Sequence, residues 1–194
     1  KANLDEIPGV GAFNDDTRDG IKGSVFARTQ GGWIQGDFSF KNKVKYGIVG
    51  GIDYPYMTYS FWHTEPIKTL NYVACHDNNT LYDKLYLTLD EADKNLDLIP
   101  ALAMQAYGII LTSQGIPFIH AGDEFLRSKP LESGSGFDHN SYQSPDAVNM
   151  IRWDLKASED GLKVYQYIKG LIELRKDHSS FRMPTAEEVS ANLT

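Results

Sequence analysis

Two apolar runs that end abruptly in polar residues constrain the fold of this chain more than any other feature. Residues 72–75 (YVAC) lead directly into His-Asp-Asn at 76–78, and residues 116–119 (IPFI) lead into HAGDE at 120–124. Short apolar runs of this kind predict strands buried on both faces, as in a parallel sheet. Ligands in parallel α/β proteins bind at the carboxyl ends of the strands. We therefore predict that both polar segments lie on one shared face of a parallel sheet.

A structural role for the first polar segment has to be weighed against a functional one. Asp and Asn side chains accept hydrogen bonds from the free backbone N–H groups at the start of a helix. Local sequence alone supports a helix cap at Asp77 and a binding site at His76 and Asp77 about equally. The repetition of the pattern at 120–124 favours the site.

The rest of the chain predicts strands that alternate with helices. Residues 23–66 form a long Gly- and aromatic-rich excursion with a short helix near 44–49, and residues 128–147 form a polar loop. The predicted strands lie at 10–13, 70–75 and 116–119. The predicted helices lie near 18–22, within 97–114, and from Glu159 to Arg175. Asn14, Asp15 or Asp16 would cap the first of these helices, Pro100 would lie in the first turn of the second, and Ser158 would be the N-cap of the third. The apolar stripe predicted for the last helix consists of Leu162, Tyr165, Ile168, Leu171 and Ile172.

Composition excludes several classes of partner. The net charge of -7 argues against nucleic acid and against an anionic membrane surface, because phosphate binding needs clustered Lys and Arg. No apolar segment approaches the ~20 residues of a membrane helix, and the start KANLDEIPG does not resemble a signal peptide. The single cysteine, Cys75, excludes an internal disulfide and is predicted to be a small buried core residue.

Four sequence blocks resemble one enzyme family. PGVGAFNDDTRDGIKGSVF, HDNNTLYDKL, GIPFIHAGDEFLRSK and DHNSYQSPDAVNMIRWD are similar, in the same order, to the type I pullulanases of the α-amylase clan, glycoside hydrolase family 13. Members hydrolyse α-1,6 branch points in α-glucans such as pullulan, starch and glycogen, with retention. The resemblance therefore implies part of a debranching hydrolase whose ligand is an α-glucan.

The resemblance also implies the architecture. The fold class is α/β, and the three strand-helix units would be units six to eight of a (β/α)8 TIM barrel, with the long excursion between units six and seven. Because a complete barrel needs ~250 residues, the N-terminal half of the barrel would be missing. Residues 1–183 would be the C-terminal portion of the catalytic barrel, and residues 184–194 the start of a linker to a missing C-terminal domain.

The family's site residues carry over onto His76, Asp77 and Asn78. Asp77 matches the carboxylate that stabilises the transition state by holding the sugar's secondary hydroxyls, and His76 matches the adjacent imidazole donor. The nucleophilic Asp and the acid Glu of the family lie upstream, so we expect this chain to be inactive alone. Asp123 and Glu124 cannot replace them, because adjacent strand residues point to opposite faces.

Weaker candidates lie in loops. Asp138, Asn140 and Tyr142 match the loop that grips glucose units in the family, although a turn stabilised by Asn and Asp side chains explains them equally well. Trp33 and Trp62 could be sugar platforms, but a loop mini-core is the preferred interpretation. His63 and His139 have no partner at zinc-ligand spacing, and no oxygen cage for calcium can be assembled, although some clan members bind calcium. We expect no cofactor.

Two alternatives stay open at this point. The chain could be a non-catalytic α-glucan-binding or interaction module, or a fragment of isoamylase or another α-glucan hydrolase. The Asn-Asn-Thr-Leu continuation after Asp77 and the SYQSPD block favour pullulanase over its relatives. Three strands cut from a closed barrel leave sheet edges unpaired, so we also expect the isolated chain to oligomerise.

Overall fold

A small parallel sheet organises the structure, a computed structural model that describes residues 3–55, 57, 63–92 and 94–194. The sheet has three strands in the order β1-β2-β3, with β1 at Ala12–Phe13, β2 at Thr69–Asn71 and β3 at Ile116–Pro117. Both pairings are parallel, with Ala12 opposite Thr69 and Leu70 opposite Ile116. The predicted parallel sheet is therefore confirmed.

The strands are shorter than predicted. Tyr72, Val73 and Ala74 are buried but lie beyond the last paired residue of β2. The last bond between β2 and β3 runs from the N–H of Phe118 to the carbonyl of Asn71, at 2.8 Å. Cys75, predicted to be buried, is only half-buried.

Seven α-helices lie in the described residues, and their bounds follow the capping signals. They are α1 Asp15–Lys22, α2 Lys41–Ile48, α3 Leu81–Glu91, α4 Ile99–Thr112, α5 Asp146–Asn149, α6 Glu159–Asp177 and α7 Ala186–Asn192. Asn14 caps α1 by accepting from the N–H of Thr17, and Ser158 caps α6 by accepting from the N–H of Gly161, as predicted. Pro100 lies in the first turn of α4, where its missing N–H costs nothing.

The main core lies where α3, α4 and α6 pack together. Leu85, Tyr107 and Ile110 are fully buried within it. The apolar stripe of α6 differs from the prediction, because Leu162 is exposed and Val164 is buried instead. Val164 and Ile168 are four residues apart, so they share the face of α6 that meets the core.

The C-terminal residues pack against the long excursion. Val189 of α7 is buried with Val49, Ile52 and Met183 in a second, smaller core. The segment 184–194 is therefore helical and packed, while its assignment as the start of a linker stays a prediction.

Candidate functional site

The His76-Asp77 segment lies at the carboxyl end of the central strand. The side chains of His76 and Asp77 are 83% and 69% exposed, and His76 Nε2 lies 3.5 Å from Asp77 Oδ1. The turn passes through Asn78 at φ 62, a left-handed conformation that Asn tolerates better than most residues. The chain thus presents an imidazole and a carboxylate to solvent side by side.

The helix-capping role considered for Asp77 belongs to another residue. The N-cap of α3 is Thr80, whose hydroxyl accepts from the N–H of Asp83 at 3.1 Å. Among the described residues, the Asp77 carboxylate has only the weak contact to His76, which leaves its oxygens available for a ligand.

A buried lysine fixes the backbone of the segment. The Nζ of Lys129, a residue 2% exposed, donates to the carbonyl of His76 at 2.7 Å. Lys129 is itself held by Asp83, which lies in the first turn of α3. The Asp83 carboxylate accepts from the Ser128 hydroxyl and from the N–H of Lys129, the latter at 3.0 Å. The loop after β3 is thereby tied to the end of β2. Burial raises the pKa of Asp83 and lowers that of Lys129, because desolvation disfavours the charged form of each group.

The second polar segment faces inward. His120 and Asp123 have side chains 9% and 0% exposed, with His120 Nδ1 3.4 Å from Asp123 Oδ1. The Tyr107 hydroxyl donates to Asp123 Oδ2 at 2.9 Å, and burial together with this carboxylate raises the pKa of Tyr107 well above its usual value. The two polar segments therefore do not share one exposed face. The buried Asp123 has a structural role, through its hydrogen bond with Tyr107.

The loop candidates divide into two groups. Asp138 uses both oxygens locally, accepting from the N–H of Asn140 at 2.9 Å and from the Ser144 hydroxyl, and these bonds lower its pKa. This geometry favours the turn-stabilising role for Asp138. Asn140 is exposed and Tyr142 is 74% exposed, so both are accessible to a ligand.

A cavity of about 290 Å³, called here the strand-end cavity, lies beside the His76-Asp77 segment. Its lining includes Phe26, Asn78, Asn79, Phe137 and His139. Asn78 thus lines the same cavity as the loop that was predicted to bind sugars. The loop contributes Phe137 and His139 to this lining, and not the predicted residues Asp138, Asn140 and Tyr142. The Oδ1 of Asn79 is buried and has no hydrogen-bond partner among the described residues.

Several of these residues escaped sequence reasoning. Phe26 is 90% exposed, and its signal is an aromatic side chain after Gly-Ser-Val in a loop. Asp83 was expected only as a residue at the start of the helix after the motif, and the link between Asp83, Lys129 and His76 was missed, since it depends on contacts 46 and 53 residues apart along the chain. Trp33 packs against the main core and the ring of Phe38, as the mini-core interpretation predicts, whereas Trp62 lies outside the described residues.

The described residues offer no ready-made metal site. They contain no group of three or more His, Cys, Asp or Glu side chains that could hold an ion. Nor does any helix in the described ranges have the length and apolar character needed to cross a membrane.

Comparisons with known proteins decide the family. A pullulanase of Bacillus subtilis (strain 168) is 36% identical over 198 aligned residues, which cover 99% of this chain and 25% of the relative. The chain belongs to the pullulanase family. It spans about a quarter of the length of that relative. No protein-family model matches the chain.

Solved pullulanase structures match the fold of the chain. The crystal structure of a pullulanase from Paenibacillus barengoltzii in complex with maltohexaose and alpha-cyclodextrin superposes with a TM-score of 0.87 at 41% identity. That match covers 97% of this chain and 28% of the other. The pullulanase from Bacillus acidopullulyticus gives a TM-score of 0.84 at 36% identity, over 96% of this chain and 21% of the other.

Proposed function

We propose that this chain is the sugar-holding part of a pullulanase-like hydrolase that cleaves α-1,6 branch points with retention. The observation that carries the proposal is the exposed His76-Asp77 segment at the carboxyl end of β2, fixed by Lys129. A site that binds sugar hydroxyls needs polar side chains that are exposed yet held in place. Family membership and the glucan complex of the Paenibacillus relative support an α-glucan as the ligand.

Asp77 would act by differential binding. As the sugar at the cleaved bond flattens toward an oxocarbenium-like state, its secondary hydroxyls become better donors and their bonds to the Asp77 carboxylate strengthen. His76 would donate to a neighbouring hydroxyl. Neither residue forms a covalent bond in this scheme.

Bond cleavage itself needs residues outside this chain. A retaining glycosidase uses two carboxylates about 5 Å apart. The adjacent pair Asp123-Glu124 does not suit this role, because Asp123 is buried against Tyr107 and Glu124 accepts from the N–H of Gly122 at 2.8 Å. The chain alone is therefore expected to bind glucan without hydrolysing it.

The proposal places the three strands as strands six to eight of a (β/α)8 barrel. Residues 1–183 would belong to that barrel and 184–194 would lead to a further domain. The parallel order β1-β2-β3 and the intervening helices support this placement. Phe13 and Ile116, on the two outer strands, are 39% and 45% exposed, so the upstream half of the barrel would cover them.

In the absence of that half, the outer strands favour association of the chain with itself. Light scattering after size-exclusion chromatography should give a mass that rises with concentration. A monomer at all concentrations, with a concentration-independent melting temperature, would contradict this expectation.

The binding claim is tested by titrating the chain with a branched maltooligosaccharide in a calorimeter. Asp77→Asn should weaken binding about tenfold or more, because a charged acceptor of hydrogen bonds becomes a neutral amide. Asp177→Asn, at the exposed end of α6, is the matched control and should bind like wild type. Equal affinity of wild type and Asp77→Asn would overturn the role of Asp77, and release of sugar from pullulan by the chain would overturn its predicted inactivity.

A further inference from the structure

A second and larger cavity lies next to the strand-end cavity. It has a volume of about 830 Å³ and runs between α3, the loop after β3 and the start of α6. We call it the tyrosine cavity, because Tyr82 and Tyr86 line one wall and Phe137 the adjoining one. Arg28 and Phe137 line both cavities, so the two spaces are neighbours around one shared rim.

The aromatic wall has the geometry of a sugar platform. Tyr82 and Tyr86 are one helical turn apart on α3, with ring centroids 6.4 Å apart and ring planes inclined by only 37°. Both residues are half-buried, so each ring keeps a solvent-facing part. Phe137 closes the wall edge-on against Tyr86 at 5.2 Å. Successive pyranose rings of a glucan present apolar faces that pack on rings arranged in this way.

The polar rim matches a neutral polyhydroxyl ligand. Asp90 and Asp160 line the cavity together with Arg28, and none of the three forms an ion pair among the described residues. The hydroxyls of Tyr82 and Tyr86 likewise have no hydrogen-bond partner in the part of the chain that the structure describes. Carboxylate, guanidinium and phenol groups with unused hydrogen-bonding capacity suit sugar hydroxyls. The mixture of charge signs does not suit nucleic acid, which needs one basic surface.

We propose that the tyrosine cavity binds a second segment of α-glucan, separate from the segment held by Asp77. The proposal rests on the proposed function of the chain, since it takes the same ligand class. A branched glucan has two chain segments that diverge from the branch point, so one would lie along Asp77 and the strand-end cavity that its neighbour Asn78 lines, and the other in the tyrosine cavity. The volume lies within the range of about 300–1,000 Å³ that is usual for ligand sites.

Amide NMR on the isotope-labelled chain tests the proposal directly. Titration with maltohexaose should shift the amides of Tyr82, Tyr86 and Phe137, while the β-1,4-linked cellohexaose should leave them in place. In Tyr86→Ala the tyrosine-cavity shifts should weaken at least fivefold while those around Asp77 persist. In Asp77→Asn the reverse should hold. Asp90→Ala, an exposed rim variant that leaves the core intact, should weaken the tyrosine-cavity shifts without the risk of unfolding.

The outcomes separate this inference from the proposed function. Shifts around Asp77 with none in the tyrosine cavity would overturn the inference and leave the proposed function standing. Shifts in the tyrosine cavity alone would support the inference and overturn the role of Asp77. Equal shifts with cellohexaose would overturn the assignment to α-glucans, and the absence of shifts at both places would overturn both proposals.

Discussion

The two His/Asp pairs that follow β2 and β3 differ most in their contact with solvent. His76 and Asp77 have side chains 83% and 69% exposed, whereas those of His120 and Asp123 are 9% and 0% exposed. The exposed pair keeps its hydrogen-bonding capacity for a ligand, while in the buried pair Asp123 accepts a hydrogen bond from Tyr107 and lies in ion-pair contact with His120. Similar sequence patterns at neighbouring strand ends thus serve binding in one case and packing in the other.

The backbone after each strand causes this difference. After β2, His76 and Asp77 are consecutive in an open turn, and Lys129 holds only the carbonyl of His76. After β3, Gly122 at φ 96 reverses the chain into the short helix Asp123–Phe125, which packs against α6. Only glycine adopts this φ without strain, so the turn that buries Asp123 depends on Gly122.

The largest effect is expected from removing the buried carboxylate. Asp123→Ala should lower the free energy of unfolding by about 3 kcal/mol or more, because it leaves the Tyr107 hydroxyl and His120 buried without their partner. Urea unfolding followed by circular dichroism measures this loss. Asp123→Asn is the matched control and should lose less, since the amide oxygen still accepts from Tyr107. A loss below about 1 kcal/mol for Asp123→Ala would mean that the buried pair does not support the fold.

The link between the two strand ends should give the next largest effect. Lys129→Met keeps the length of the side chain and removes the donor to His76, so it should cost about 1–2 kcal/mol of stability. It should also weaken glucan binding severalfold. This effect is expected to be indirect, because Lys129 is buried and its contact is with the backbone carbonyl of His76.

Calorimetric titration of Lys129→Met beside Lys163→Met, an exposed lysine on α6, separates the two effects. Loss of stability with unchanged affinity would show that Lys129 supports the loop without positioning His76 and Asp77.

The free energy of unfolding should depend on pH through lysines that are desolvated in the fold, one of them near Asp123. Lys22 is buried near Asp123, and burial lowers its pKa from 10.5 to about 8. Between these two values the unfolded chain binds more protons than the folded chain, so the free energy of unfolding should rise with pH. Lys84, with a pKa also lowered to about 8, contributes in the same direction.

Urea unfolding at several pH values between about 7.5 and 9.5 tests this dependence. The stability of wild type should rise by about 2 kcal/mol more than that of Lys22→Met, which lacks the titrating group. A stability difference between the two proteins that stays constant with pH would mean that the Lys22 ammonium is not desolvated in the fold.

Sequence reasoning found the strands, the caps and the longer helices, though not the short helices α5 and α7, because the signals of the former depend on neighbouring residues. Asn14, Ser158 and Pro100 act within one turn of their own positions, so their signals are local. It placed His120 and Asp123 on the exposed face because strand periodicity does not describe the turn at Gly122. It missed Lys129, whose contact with His76 joins segments that meet only in the folded chain.

The smallest effect on stability, and the sharpest contrast with Asp123, is expected at Asp77. Its side chain is 69% exposed, and Thr80, not Asp77, caps α3, so Asp77→Ala should change the free energy of unfolding by no more than about 0.5 kcal/mol. Urea unfolding measured beside Asp123→Ala gives this comparison directly, with Thr80→Ala as the control for a true cap, at a cost of about 1 kcal/mol. If Asp77→Ala matched Thr80→Ala, Asp77 would belong to the helix start. If Asp77→Ala leaves the free energy of unfolding unchanged, the carboxylate has no structural role. That result is required of a residue whose side chain is kept free for a ligand.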